Sequence, residues 1–290
     1  MNNIKKYGII ICTFILSTIL LFNLYNNNAE KLLEIHLLDV GQGDSILIVT
    51  PNKKTILIDA GDTSNGPKVL AHLKKNKIKS LDVLIGTHPH SDHIGGLHKI
   101  IESTNIESFY IPPVAHTSKT FENMLITAKN HSLKISTLPV GSKIDFDEEI
   151  SLYFLSPLKN YGEDLNNWSI VLKLDYLEKS FLFTGDIEYE AEQDIINHYE
   201  HRFLRSHLLK IAHHGSSSSS SLSFLNTINP DVALISCGYN NSYSHPHDEV
   251  MNRLKNMAIN IYRTDYNGTV IIKSNGKEIW SNNKPYSYPN

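Results

Sequence analysis

Thr87-His88-Pro89-His90-Ser91-Asp92-His93 decides how this chain is read, because three imidazoles and one carboxylate fall within seven residues. The stretch closes an apolar run, residues 81–87, that reads as a buried strand. The ligand-type side chains therefore sit in the loop at a strand end. Side chains alternate along an extended segment, so His88 and His90 point one way, toward one ion, and leave Asp92 and His93 for a second. Neutral imidazole and carboxylate are donors suited to Zn²⁺, Mn²⁺ or Fe²⁺. Ile94-Gly95-Gly96-Leu97 follows and opens a helical pattern over residues 94–101.

Upstream, residues 33–38, 45–50 and 55–58 read as short strands, and residues 69–73 carry helical spacing. Downstream, a strand at 109–111 and a helix at 121–128 precede a second β-rich stretch at 150–155, 169–174 and 181–184. An amphipathic helix at 188–199 comes next. Strands at 208–212, 232–236, 259–263 and 269–272 then alternate with helices at 222–228 and 247–257. A β-rich half followed by strand–helix alternation, occurring twice, predicts two sheets with helices outside them, an αββα sandwich of class α/β. The globular domain is expected over residues 33–275 with a C-terminal tail at 276–290. The serine run 216–221 reads as a flexible loop.

Residues 7–25 carry no charged side chain and match the roughly 20 residues a helix needs to cross a bilayer. Lys5 and Lys6 precede them and Asn26 to Asn28 follow, which predicts a single-pass transmembrane anchor within residues 1–28 and the globular domain outside the cell. An uncleaved or cleaved signal segment, and hence a secreted protein, is the alternative. Two cysteines, Cys12 and Cys237, exclude a disulfide framework. A net charge of -3 provides no overall basic field, so any hold on nucleic acid must come from a local patch or from bound metal.

His88-x-His90-x-Asp92-His93 resembles the HxHxDH motif of the metallo-β-lactamase superfamily. The resemblance implies a two-metal site (Zn or Mn) and further positions. Phe181-Leu182-Phe183-Thr184-Gly185-Asp186 is similar to the superfamily's strand-Gly-Asp element, which makes Asp186 the ion-bridging candidate. Ile56-Leu57-Ile58-Asp59-Ala60-Gly61 resembles the early strand whose aspartate supports the metal loop, which assigns Asp59 to orienting a ligand. The order of Leu38-Asp39-Val40-Gly41-Gln42-Gly43-Asp44-Ser45, Asn166-Asn167-Trp168-Ser169, Ala212-His213-His214-Gly215-Ser216 and Ser244-His245-Pro246-His247 is similar to that of the hydrolase domain in ComEC-type DNA-uptake proteins. That domain accompanies a multi-helix channel in those proteins. With one expected span, this chain is not itself a conduit, and any channel is a separate partner.

Where many superfamily members place a metal-binding histidine before the Gly-Asp element, this chain has Asn166 or Asn167, a weaker and harder oxygen donor. The late ligand is His213 or His245, with His213 preferred because it follows a strand. Asp92, His214 and His247 are the residues expected to take part in proton transfer or phosphate contact. The resemblance implies a phosphodiesterase or nuclease acting on extracellular DNA. Hydrolysis of another ester, lactone, β-lactam or wall phosphoester, and a non-catalytic anchored binding protein, are the alternatives, since one fold hosts many reactions.

Overall fold

The computed structural model describes residues 31–288 and, ahead of them, the six positions Tyr7, Ile11, Phe14, Ile15, Ser17 and Thr18. Residues 1–32 and 33–290 form separate units. The six positions of the first unit are helical and exposed. The expected anchor otherwise lies outside the described residues, and among the described residues no helix is long and apolar enough to cross a membrane.

The second unit holds two sheets. The first orders its eight strands β15-β14-β1-β2-β3-β4-β5-β6, where β1 is Leu33–Leu37, β2 Ile46–Val49, β3 Thr55–Ile58, β4 Ser80–Ile85, β5 Asn105–Tyr110, β6 Ile135–Ser136, β14 Val270–Ser274 and β15 Ile279–Ser281. The second sheet runs β13-β12-β11-β10-β9-β8-β7, with β7 Lys143–Asp147, β8 Ile150–Ser156, β9 Val171–Tyr176, β10 Lys179–Phe183, β11 Leu208–Lys210, β12 Val232–Ile235 and β13 Asn260–Arg263.

Period-two alternation explains why the central strands read as continuous apolar runs. Ile46 and Ile48 of β2 face the core between the sheets, packed with Ile56, Ile58, Phe181 and Phe183. Their neighbours Leu47 and Val49 face outward, where Leu84 of β4 and the helices Gly66–Lys75 and Leu97–Ser103 cover them. On the far side Leu182, Leu209 and Ala233 pack in the same way under the helices Tyr189–His198, Leu222–Ile228 and Asp248–Asn256. Both faces of each sheet are thus buried, which is the αββα arrangement the pattern predicts.

Two expectations change. The helix expected over 94–101 is divided into Ser91–Ile94 and Leu97–Ser103. A Cβ on Gly96 would lie 2.3 Å from the Ala60 carbonyl oxygen, and only glycines at the junction let the two segments approach the chain after β3 so closely. The expected tail is part of the domain: β15 extends the first sheet, and the Tyr288 hydroxyl donates to the Met251 carbonyl at 2.9 Å.

One buried polar group on the outer face of the first sheet has a pH consequence. His36 on β1 and His72 on the helix Gly66–Lys75 share a ring-nitrogen hydrogen bond of 2.9 Å. Burial, followed by the charges of His36 and Lys75, pushes His72 down to about 4, and burial also lowers His36. Both rings are therefore neutral in the folded chain at pH values where unfolded histidine, titrating near 6.5, binds protons. The unfolded state takes up more protons between about 6.5 and 4, so this contribution to stability is lost as pH falls through that window. In the presence of chelator, the loss of unfolding midpoint between pH 7 and pH 4.5 should be shallower in His72→Gln than in the natural chain. Equal losses would contradict it.

Candidate metal centre

The parallel strands β3, β4, β10, β11 and β12 all end toward one place, and the loops leaving them carry the polar side chains. A backbone bond ties the two sheets together there, the Ile170 amide donating to the Thr87 carbonyl at 2.9 Å, and the Asp44 amide joins two loops of the first sheet by donating to the Asp92 carbonyl at 3.2 Å.

Asp59, at the end of β3, receives hydrogen bonds from the Thr87 amide (2.8 Å), the Thr87 hydroxyl (2.6 Å) and His93 Nδ1 (2.8 Å). His93 is thereby fixed with Nε2 directed inward, and the expected orienting contact of Asp59 is present in the geometry. His214 is fixed in the same way. Its Nδ1 donates to the Ser236 carbonyl at 2.9 Å, with Asp44 Oδ1 3.4 Å away. Between the two rings lies Asp186, whose Oδ2 is 3.1 Å from His93 Nε2 and 3.2 Å from His214 Nε2. Asp92 Oδ2 stands 3.3 Å from His214 Nε2 and 3.7 Å from His93 Nε2. Donors about 2.0–2.1 Å from one tetrahedral ion are separated by about 3.3 Å, so these four side chains have the spacing of a ligand set. Asp186 Oδ1 is moreover buried without a hydrogen-bond partner.

The electrostatics agree. Burial alone would push His93 and His214 down, but the surrounding carboxylates, Asp186 first for each, lift both well above the usual histidine range. Burial would raise Asp186, yet His214 and His93 hold it well below the carboxylate range. In the metal-free chain protons on the rings balance the carboxylates, and a divalent cation would take their place.

Beside this group, His88 Nε2 and His90 Nδ1 converge at 3.0 Å. Burial lowers both imidazoles, His88 well below its usual value. Both are therefore neutral, the form that ligates. Thr87 Oγ1 at 3.1 Å and Ser169 Oγ at 3.2 Å hold His88 Nδ1, and Ser169 Oγ also accepts from the Asp186 amide at 3.0 Å.

Three expectations about side chains differ from what the structure brings together. His214, not His213, meets the carboxylates, while His213 turns away and donates from Nδ1 to Glu188 Oε1 at 3.0 Å. The reason is a turn in the left-handed region at His213 (φ 49), His214 (φ 54) and Gly215 (φ 86), which breaks the strand alternation that favoured His213. Gly215 is needed there, since a Cβ would lie 2.4 Å from the Pro246 Cβ. Asn167 is also turned away. Its Oδ1 accepts from the Glu188 amide at 2.7 Å and its Nδ2 donates to Asp164 Oδ2 at 2.6 Å. His247 has both ring nitrogens engaged, Nδ1 accepting from the Ser217 amide at 2.9 Å and Nε2 donating to the Tyr243 carbonyl at 3.1 Å. It ties two loops together instead of offering a proton to a substrate.

His245 does line the cleft, an opening of about 320 Å³ shared with Gln42, His90, Asp92, Asp186 and Tyr243, and walled by neither Lys nor Arg. Burial first, then its three histidine neighbours, brings His245 down to about 4. It is neutral at pH 7, so its ring meets a substrate as an uncharged hydrogen-bonding group. Asp44, Lys210 and Glu188 were not expected to shape the site. The available signal was Lys210, a charge inside the apolar run Leu208-Leu209-Lys210-Ile211-Ala212.

The serine run is not a flexible loop. The buried Glu192 carboxylate accepts from the amides of Ser220 and Ser221, and Arg253 donates to the carbonyls of Ser219 (3.1 Å) and Ser220 (3.0 Å). Glu192→Ala would leave two amides without their acceptor. We expect it to cost about 2–4 kcal/mol in urea unfolding with metal content unchanged; an unaltered midpoint would show that the loop is held otherwise.

A sandwich whose strand ends gather these donors defines a hydrolase fold with a potential metal-binding site of Asp and His. The chain belongs to the metallo-beta-lactamase superfamily, whose family model matches residues 38–239. It is 33% identical over 254 residues to ComE operon protein 3 of Bacillus subtilis (strain 168), covering 82% of this chain and 32% of that protein. It is 30% identical over 233 residues to Competence protein ComA of Neisseria gonorrhoeae, covering 80% of this chain and 31% of that one. The chain thus spans about a third of the length of these relatives. Among solved structures, Tm1679, a metal-dependent hydrolase of the beta-lactamase superfamily, superposes with a TM-score of 0.52 at 16% identity over 80% of this chain and 95% of that one, a likeness of fold.

Proposed function

We propose that the protein is a metal-dependent phosphodiesterase that cuts DNA outside the cell, held at the membrane by its N-terminal segment, with two divalent ions, Zn²⁺ or Mn²⁺, in its centre. The observation that carries this reading is the ligand-like spacing of Asp92, His93, Asp186 and His214 beside the converging His88 and His90, at the floor of an open cleft. Competence in the name of a relative supports DNA as the substrate. Transport is not carried over, and any channel would be a separate partner.

Divalent ions bound there would supply the Lewis acidity that yields a water-derived nucleophile at neutral pH and offsets charge on a phosphoryl oxygen. The chain's own residues do the rest. Asp59 and the Ser236 carbonyl hold His93 and His214 in the tautomer that points Nε2 inward. His88, Ser169 and the Asp186 amide lock the strand-end loops to one another. His245 and Gln42 offer uncharged contacts to the substrate, which fits a cleft whose cationic charge would come from metal and not from Lys or Arg.

The purified full-length chain supplied separately with Mn²⁺, Zn²⁺ and Mg²⁺ should degrade linear DNA with at least one of them. DNA left intact with all three, alongside turnover of a lactone or β-lactam, would replace this reading with another hydrolysis.

A further inference from the structure

Asn166 and Asn167 are adjacent, yet the structure gives them opposite tasks. Asn167 spends its oxygen and its nitrogen on Glu188 and Asp164. Asn166 commits only its nitrogen elsewhere: Nδ2 donates to Glu188 Oε1 at 3.1 Å, while Oδ1 is buried and meets no partner other than the His90 ring. The side chain lies beside the His90 ring. An amide can be turned over to exchange oxygen for nitrogen, but here the exchange would set its oxygen against the Glu188 carboxylate. Glu188 is itself fixed. The same Oε1 receives the Ser218 hydroxyl at 3.1 Å and His213 Nδ1 at 3.0 Å.

We infer that Asn166 Oδ1 is an oxygen ligand completing the His88–His90 position, aimed there by Glu188. His213 and Ser218, which brace Glu188, thereby act on the metal position through Asn166. The inference rests on the metal-centre reading above. An amide oxygen is a harder donor than an imidazole, so two imidazoles plus amide oxygen and carboxylate shift this position away from Zn²⁺ and toward Mn²⁺.

The test is calorimetric titration of the metal-free full-length chain with Mn²⁺ alone and with Zn²⁺ alone. Asn166→Ala should weaken one Mn²⁺ binding step by about 10- to 100-fold, and Glu188→Gln, which accepts either orientation of the amide, by about 10-fold. Asn166→His should raise the ratio of Zn²⁺ to Mn²⁺ affinity by about 10-fold or more, a gain that a misfolded variant could not produce. Natural-chain isotherms in Asn166→Ala, or an unmoved ratio in Asn166→His, would overturn the assignment. A natural chain that binds neither ion would instead remove the metal centre itself, and this inference with it.

Discussion

Asp186→Asn is expected to reduce the proposed phosphodiester hydrolysis by about 100- to 1000-fold, the scale reached when a preorganised charge-stabilising group is removed from an active centre, and to lower the metal bound per chain. Asp186 is where the two histidines of the centre meet. Its Oδ2 lies 3.1 Å and 3.2 Å from their Nε2 atoms, and its buried Oδ1 has no hydrogen-bond partner. An asparagine fills the same space but replaces one acceptor oxygen with an N–H₂ group and removes the charge that offsets a cation. The surrounding backbone should not move, because it is held independently. The residue 186 amide bonds to Ser169 Oγ, and Gly185 adopts φ 52 with a contact surface that admits no Cβ, 2.9 Å from Ser169. Unfolding of the metal-free variant, measured in parallel, should therefore remain cooperative. Metal content and activity at natural levels would remove Asp186 from the bridging position.

The parts of this site that were legible in the sequence are those set by local pattern. His88, His90, Asp92 and His93 lie within six residues, and the apolar runs at β2, β3, β4 and β10 state their burial directly. What was not legible depends on contacts distant in sequence. Choosing His214 over His213 requires a left-handed turn packed against Pro246. Choosing Asn166 over Asn167 requires Glu188, 22 residues away. The serine run looks unstructured because small polar side chains specify little by themselves, yet Glu192 and Arg253 arrive from two helices to hold its backbone. The edge strand β7, Lys-Ile-Asp-Phe-Asp, was missed because an edge strand buries little of itself and carries charges that discourage further pairing.

Lys210→Met should destabilise the metal-free chain by about 3–5 kcal/mol, because it leaves a charge in the interior without its counterion. Lys210 is 1% exposed at the end of β11, and its ammonium lies 2.7 Å from Asp44 Oδ2 and 2.9 Å from the Ile211 carbonyl. Asp44 is equally buried. Burial alone would raise it, but Lys210 first, then His214, keep it below its usual range. With methionine at 210, Asp44 must either take up a proton or turn toward the histidines, and either change disturbs the ring that brings Nε2 to Asp186. Metal affinity should fall by about 10- to 100-fold, as for loss of other groups that orient a ligand. Adding Asp44→Asn removes the stranded charge, so the double variant should regain much of the lost stability. The two substitutions should therefore couple by about 2 kcal/mol or more in a double-mutant cycle read by urea unfolding with chelator present. Additive effects, or a Lys210→Met chain as stable as the natural one, would mean that the ion pair does not hold this side of the centre together.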